Sequence, residues 1–256
     1  MIRFFVLLLI STLCFGQWEA YNPYTRSFSP YVAPSGTGKS PDQIAGLALQ
    51  FEYDTGFTAS EWTDQASGKN LTQSNATNQP SLGTGGIDFD GNDMMRWAAG
   101  ATAFDWSSAF TLVIRFKTDS DHLGNIVAVD SATAGVRVFL FRKREGAAAG
   151  AIEWITFNSS QSTNNLSAGT VSNNVWHTAI CKYDGAGGKS LQIDDATPVT
   201  STVANIDSDT GPLSVGANGA ATPTTFLNGF ISHLYGYTAD VSQSDIDDLK
   251  AWLATQ

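Results

Sequence analysis

Apolar and polar residues alternate with a period of two along much of this chain. In residues 110–117 (FTLVIRFK), Leu112, Ile114 and Phe116 fall on one face, the pattern of a half-buried strand. Comparable runs at 47–53, 126–129, 136–142, 152–157, 175–183, 190–194, 213–217 and 226–237 are separated by Gly-, Asn-, Asp- and Ser-rich stretches. That spacing predicts an antiparallel sandwich. Residues 85–97 (GGIDFDGNDMMRW) show it in miniature. Ile87 and Phe89 alternate with Asp88 and Asp90, Gly91-Asn92-Asp93 supplies turn chemistry, and a second strand resumes at Met94. One helix is predicted, near the C-terminus. Ser242 and Asp245 form a capping box, and Ile246, Leu249 and Leu253 share a face with Trp252 beside them. The helix is expected to close one edge of the sandwich. No internal repeat is visible, so residues 45–256 are read as a single all-β domain, a two-sheet antiparallel jelly roll with one short C-terminal helix.

Composition narrows this reading. The chain has 256 residues, 42% hydrophobic and 15% charged, with 24 glycines, enough apolar material for a large core. The formal net charge is −10. The one basic run, Arg142-Lys143-Arg144, is short, so nucleic acid is excluded as a partner.

The N-terminus, MIRFFVLLLISTLCFGQ, has a basic Arg3, an apolar stretch at 4–10 and a small-residue cleavage pattern at Cys14-Phe15-Gly16. The apolar stretch is shorter than the roughly 20 residues of a membrane span, so residues 1–16 read as a secretory signal peptide. A secreted, cell-surface or periplasmic location follows, with no transmembrane segment left after cleavage. Cys181 would then be the sole cysteine, a buried thiol with no disulfide. Residues 17–44, rich in Tyr, Pro, Ser and Gly, read as an extended arm or linker.

Several segments, taken in order, resemble the laminin-G-like, concanavalin A-like jelly-roll domains. Trp62-Thr63-Asp64-Gln65-Ala66-Ser67-Gly68 is similar to that family's W-x-D-x-S-G segment with one residue inserted. Phe89-Asp90-Gly91-Asn92-Asp93 resembles its F-D-G-x-D-D turn, with Met94 in place of the last Asp. Ala109-Phe110-Thr111-Leu112 matches the start of its long strand. Trp176-His177 running to Tyr183-Asp184-Gly185 resembles its W-H … Y-D-G segment, and 213–217 with 226–237 its closing strands. The resemblance covers residues 45–254 and implies the fold. It does not imply one function, because such sandwiches host lectins, glycanases, adhesins and virion parts.

Chemistry is sparser. Residues 33–40 (APSGTGKS) fit a relaxed phosphate-loop pattern, but Pro30 and Pro41 deny it the strand and helix it needs. A glycanase needs two placed carboxylates. Glu52-Tyr53-Asp54 begins such a pattern and Phe57 breaks it; Glu153 has no second carboxylate beside it in sequence. Asp90, Asn92 and Asp93 offer hard oxygens in one turn, either as turn formers or as ligands for a structural calcium, which the resemblance favours. Carbohydrate recognition calls for exposed rings; the candidates are Trp62, Trp97, Trp106 and Trp154, with Tyr235, Tyr237 and a polar loop at 158–172 beside them. The resulting expectation is a secreted, non-enzymatic recognition or adhesion domain binding glycan or a cell-surface polymer. The alternatives are a virion or filament subunit that self-assembles through residues 17–44, and a glycoside hydrolase or lyase.

Overall fold

A computed structural model of the chain describes residues 38–97, 104–119, 122–130, 136–145, 150–203, 206–207, 211–220 and 222–256. The expected signal peptide, and the expected arm up to residue 37, lie outside the described residues. The first strands are β1 (Leu47–Glu52), β2 (Phe57–Thr58), β3 (Glu61–Trp62), β4 (Leu71–Thr72), β5 (Ser81–Gly83), β6 (Gly86–Asp90) and β7 (Met95–Trp97). The long central strands are β8 (Phe110–Thr118), β9 (Gly124–Asp130), β10 (Arg137–Lys143), β11 (Ala151–Phe157) and β12 (Thr163–Thr170). The last are β13 (His177–Tyr183), β14 (Gly188–Ile193), β15 (Val199–Thr202), β16 (Leu213–Val215) and β17 (Asn228–Tyr237), followed by helix α1 (Gln243–Leu253).

These strands build two antiparallel sheets. One runs β15-β14-β13-β8-β17-β6-β5, with β1 also paired to β17; the other runs β12-β11-β10-β9-β16-β7-β4-β3-β2. Alternation decides which side chains meet between them. Leu112, Ile114 and Phe116 of β8 are wholly buried and share the main core with Phe139, Phe141 and Trp154 of the opposing sheet. The Phe116 and Phe141 rings meet edge to face at 5.9 Å, and Phe110 meets Trp154 at 6.0 Å. Each such side chain contributes roughly 1.5–3 kcal/mol by leaving water.

Two of the described lysines, Lys143 and Lys189, are buried and bond from one sheet to the other. Lys189 of β14 donates to Trp154 O (3.3 Å), Thr156 Oγ1 (3.1 Å) and Asn164 O (2.9 Å), tying the two sheets together. Burial pulls its ammonium down to about 8.

Two expectations are corrected. Helix α1 covers the outward face of the eight-stranded sheet rather than an edge. Val113, Ile180, Tyr235 and Tyr237 point out of that sheet and are apolar, and Ile246, Leu249 and Leu253 pack on them. Ile44 belongs to the same cluster and Lys39 pairs with Asp245 and Asp248, and the compact unit runs from Gly38. The stretch 158–172 is mostly strand β12. Only Leu166 and Ala168 turn inward there, as in an edge strand whose polar face meets water.

Three acidic residues, Asp64, Asp184 and Asp194, work as backbone clamps. Asp64, 2% exposed, accepts the N–H groups of Gln50 (2.9 Å), Ala66 (3.0 Å), Ser67 (3.1 Å) and Lys69 (3.3 Å), and the Ser67 hydroxyl. Asp184 accepts from Ala186 N (2.7 Å) and Gly188 N (2.8 Å), closing the turn around Gly185. Asp194 binds His177 Nδ1 (2.7 Å) and Thr178 N (2.8 Å). Short acidic side chains fold chain reversals by bonding their own backbone, and here that supplies the fold's corners.

Candidate ligand-binding face

The outward side of the nine-stranded sheet can be read directly from register. Strand pairing lines up Thr72, Arg96, Ser214, Ala128, Leu140, Ile155 and Asn165 in one row across six neighbouring strand pairs. Their neighbours in sequence, such as Leu71, Met95, Trp97, Val215, Val127 and Trp154, turn into the core. Ala128, Leu140, Ile155 and Phe157 make a small apolar cluster of their own on this side.

Charged groups frame that cluster. Glu153, 1% exposed, is held by Arg142 (2.9 Å), Arg144 (3.1 Å) and Asn165 Nδ2 (2.8 Å). Burial would raise its pKa, but the bonds from Asn165 and Arg142 outweigh that and hold it below the ordinary range. A carboxylate so held stays ionised and is a poor general acid. Arg137 lies 3.6 Å from Asp130 and its guanidinium lies 6.0 Å from the Phe157 ring centre. Burial pushes the Asp130 carboxyl up, opposed by Arg137, the Gly219 N–H and Arg96.

A cleft of about 580 Å³ opens at the β4–β7 end of this side, lined by Thr72, Gln73, Asn75, Asn78, Arg96 and Phe226 among others. Its amides are already tied down. Gln73 Nε2 donates to Met94 O (3.0 Å), Asn78 Nδ2 to Asn92 O (2.7 Å), and Asn75 Nδ2 to Asn78 Oδ1 (2.6 Å). Fixed polar groups beside a half-buried phenyl ring suit a ligand with many hydroxyls, since little rotamer entropy is lost on binding. Near Arg96, Ser214 Oγ and Asp130 Oδ2 are buried with no hydrogen-bond partner among the described residues. They sit 2.6 and 3.0 Å from the point a Cβ on Gly219 would occupy.

A larger hollow of about 740 Å³ lies where the β13–β14 region meets α1. Lys250 there is already paired with Asp195 (2.8 Å) and Asp247 (3.3 Å), and no ring lines it. On the same sheet's outward side, half-buried Trp176 meets Phe230 at 6.5 Å, with Lys117 Nζ 5.4 Å from its ring centre.

The structure places the sequence-derived candidates differently from the expectation. Trp62, Trp97, Trp106 and Trp154 are 0–1% exposed and are core residues. Trp97 reaches the cleft floor but stacks on Trp106 at 6.3 Å. Rings with no exposed face cannot stack on a sugar, so the four tryptophans are corrected to structural roles. Tyr235 and Tyr237 lie under α1. Asp90, Asn92 and Asp93 do come together, as a self-satisfied turn. Asp93 Oδ2 accepts from Asp90 N (3.0 Å) and Asp90 Oδ1 from Asn92 N (3.2 Å). Among the described residues no three His, Cys, Asp or Glu side chains are grouped to hold a metal ion, and the Asp90 and Asp93 carboxylates of this turn are each engaged by a backbone N–H. The turn instead carries the cleft wall through the bond from Asn78 to Asn92. His177 serves Asp194, and burial pulls His233 down to about 4.

Arg96, Ser214, Asp130 and Phe226 were not singled out from sequence. The available signal was Met95-Arg96-Trp97, where two inward apolar residues force the arginine outward.

No protein-family model matches the sequence, and no curated protein does. Solved structures do. A Trypanosoma rangeli sialidase in complex with sialic acid superposes with a TM-score of 0.64 at 12% identity, over 82% of this chain and 33% of the sialidase. The binding domain of botulinum neurotoxin serotype D gives 0.61 at 14% identity, over 84% of this chain and 53% of that one. The serotype G binding domain gives 0.58 at 11%, over 82% and 51%. The likeness is one of fold. The chain spans a third of the sialidase and about half of the toxin structures, and what it shares with them is the β-sandwich. Among the described residues no helix is long and apolar enough to cross a membrane, which says nothing of strands.

Proposed function

We propose that the chain is a secreted, non-enzymatic recognition domain of the laminin-G-like kind, and that it binds a glycan or surface polymer in the cleft beside Arg96. The observation that carries this reading is the cleft itself. About 580 Å³ of space combines one half-buried ring, Phe226, with amides of Gln73, Asn75 and Asn78 that are fixed before any ligand arrives. The state of Glu153 supports recognition over hydrolysis, because both its oxygens are engaged by cations and an amide. The sandwich neighbours support the fold on which such a site sits. A glycan array probed with the full chain, with and without chelator, tests the reading. Selective binding that persists in chelator is expected; a blank array in both conditions would overturn it.

A further inference from the structure

We infer that Arg96 is the charged anchor of this cleft and that the glycan it selects carries a carboxylate, as a uronic or other acidic sugar does. The inference rests on the glycan reading above and adds the ligand's charge. The chain has seven arginines, and among the five described ones Arg96 alone has an unengaged guanidinium. Arg137 pairs with Asp130, and Arg142 and Arg144 pair with Glu153. Arg115 donates to Leu253 O. The Arg96 guanidinium makes no hydrogen bond or ion pair with any described residue. Its one acidic neighbour, Asp130, already faces Arg137 and the Gly219 N–H.

Position turns this vacancy into specificity. Arg96 is fixed by pairing on both sides, with Thr72 of β4 and Ser214 of β16, and the Thr72 hydroxyl bonds Arg96 O at 3.4 Å. Its half-buried side chain lines the cleft together with Thr72, Gln73, Asn75 and Asn78. A guanidinium presents a planar fork that matches the two oxygens of a carboxylate. A single such fork, with no second cation among the described residues that line the cleft, suits one planar monoanion. Hydroxyls of the same sugar would then fall to Thr72, Gln73 and Asn78, and its apolar face to Phe226. Because the protein's net charge is −10, selectivity for an anion has to come from such a local contact rather than from the overall field.

The test is isothermal titration of the full chain with tetragalacturonic acid and with its fully methyl-esterified form, which keeps the sugar and masks the charge. The inference expects the acid to bind at least tenfold tighter. Arg96→Ala and Arg96→Gln should abolish that preference, with the melting temperature showing that both variants remain folded. Sialyllactose, lactose and a sulfated disaccharide, run in parallel, generalise the comparison. Equal affinity for acid and ester, a preference that survives Arg96→Gln, or selective binding of the sulfated sugar alone would overturn the inference while leaving glycan recognition standing. Failure to bind any sugar, charged or neutral, would overturn both.

Discussion

Replacing Asp64 by Ala tests whether the Trp-containing segment at 62–68 holds the fold rather than a ligand. The carboxylate is 2% exposed. It collects four backbone N–H groups and the Ser67 hydroxyl, and one donor, Gln50, belongs to β1 of the other sheet. A hydrogen bond to a charged acceptor is worth about 1.5–3 kcal/mol net, and stranded buried donors cost a similar amount. If water rehydrates two of the four N–H groups after truncation, the remaining two place the loss at about 3–6 kcal/mol. That is a large share of the roughly 5–15 kcal/mol a domain of this kind possesses. For a chain of this size the melting temperature should fall by roughly 6–24 °C. Asp64→Asn, which keeps the shape but turns an amide toward donors, should lose more than half as much. Ser67→Ala, which removes one hydroxyl, should cost only about 1 kcal/mol. Urea unfolding followed by circular dichroism measures all three. An Asp64→Ala protein within 1 kcal/mol of wild type that has lost glycan binding would refute the reasoning.

Three further outcomes are expected. Burial pushes Asp93 up to about 6; the Asp90 N–H opposes this, and the charges of Asp90 and Asp88 add to it. A folded pKa above the ordinary carboxylate value means the folded state holds this proton more tightly, so the group's favourable contribution is complete below pH ~4 and is lost as pH rises from 4 to 6. Asp93→Asn should therefore be more stable than wild type at pH 7.5, by up to about 3 kcal/mol, with a flatter stability profile between pH 4 and 6; a destabilised variant would contradict this, as would a calcium-dependent rise in the wild type's melting temperature. Cys181 is wholly buried and burial pushes its thiol up, so in a Cys14→Ser chain a disulfide reagent at pH 8 should titrate no thiol until denaturant is added. Gly216 has φ +85°, and a Cβ there would press on the Phe89 ring and lie 2.9 Å from Asp93 O; Gly216→Ala should cost about 2 kcal/mol or more, read by thermal melting.

Much of the fold was legible because its determinants are local. Alternation in 110–117 names the inward face of β8 correctly, since Leu112, Ile114 and Phe116 all reach the core. The cap at Ser242 marks the start of α1, where its side chain accepts the Asp245 N–H. The acidic turns at Asp64, Asp93 and Asp184 mark chain reversals. Non-local facts were harder to see. β12 hid as a polar loop because an edge strand needs only Leu166 and Ala168 to face inward. The tryptophans looked like ligand platforms because sequence names a ring but not the sheet stacked on it. Arg96 passed unnoticed for the converse reason. Its importance comes from having no hydrogen-bond or ion-pair partner among the described residues, and partners such as Glu153 for Arg142 are set by register between strands, not by spacing within one.

The account's central claim is that the outward cleft of the nine-stranded sheet is the recognition surface. Titrating the best-bound array glycan into wild type, Phe226→Ala and Trp176→Ala tests it most directly, because the two rings lie on outward faces of different sheets. The account predicts at least a tenfold loss of affinity for Phe226→Ala and wild-type affinity for Trp176→Ala, with all three proteins folded by circular dichroism. Undiminished binding by Phe226→Ala, with the loss appearing in Trp176→Ala instead, would contradict it.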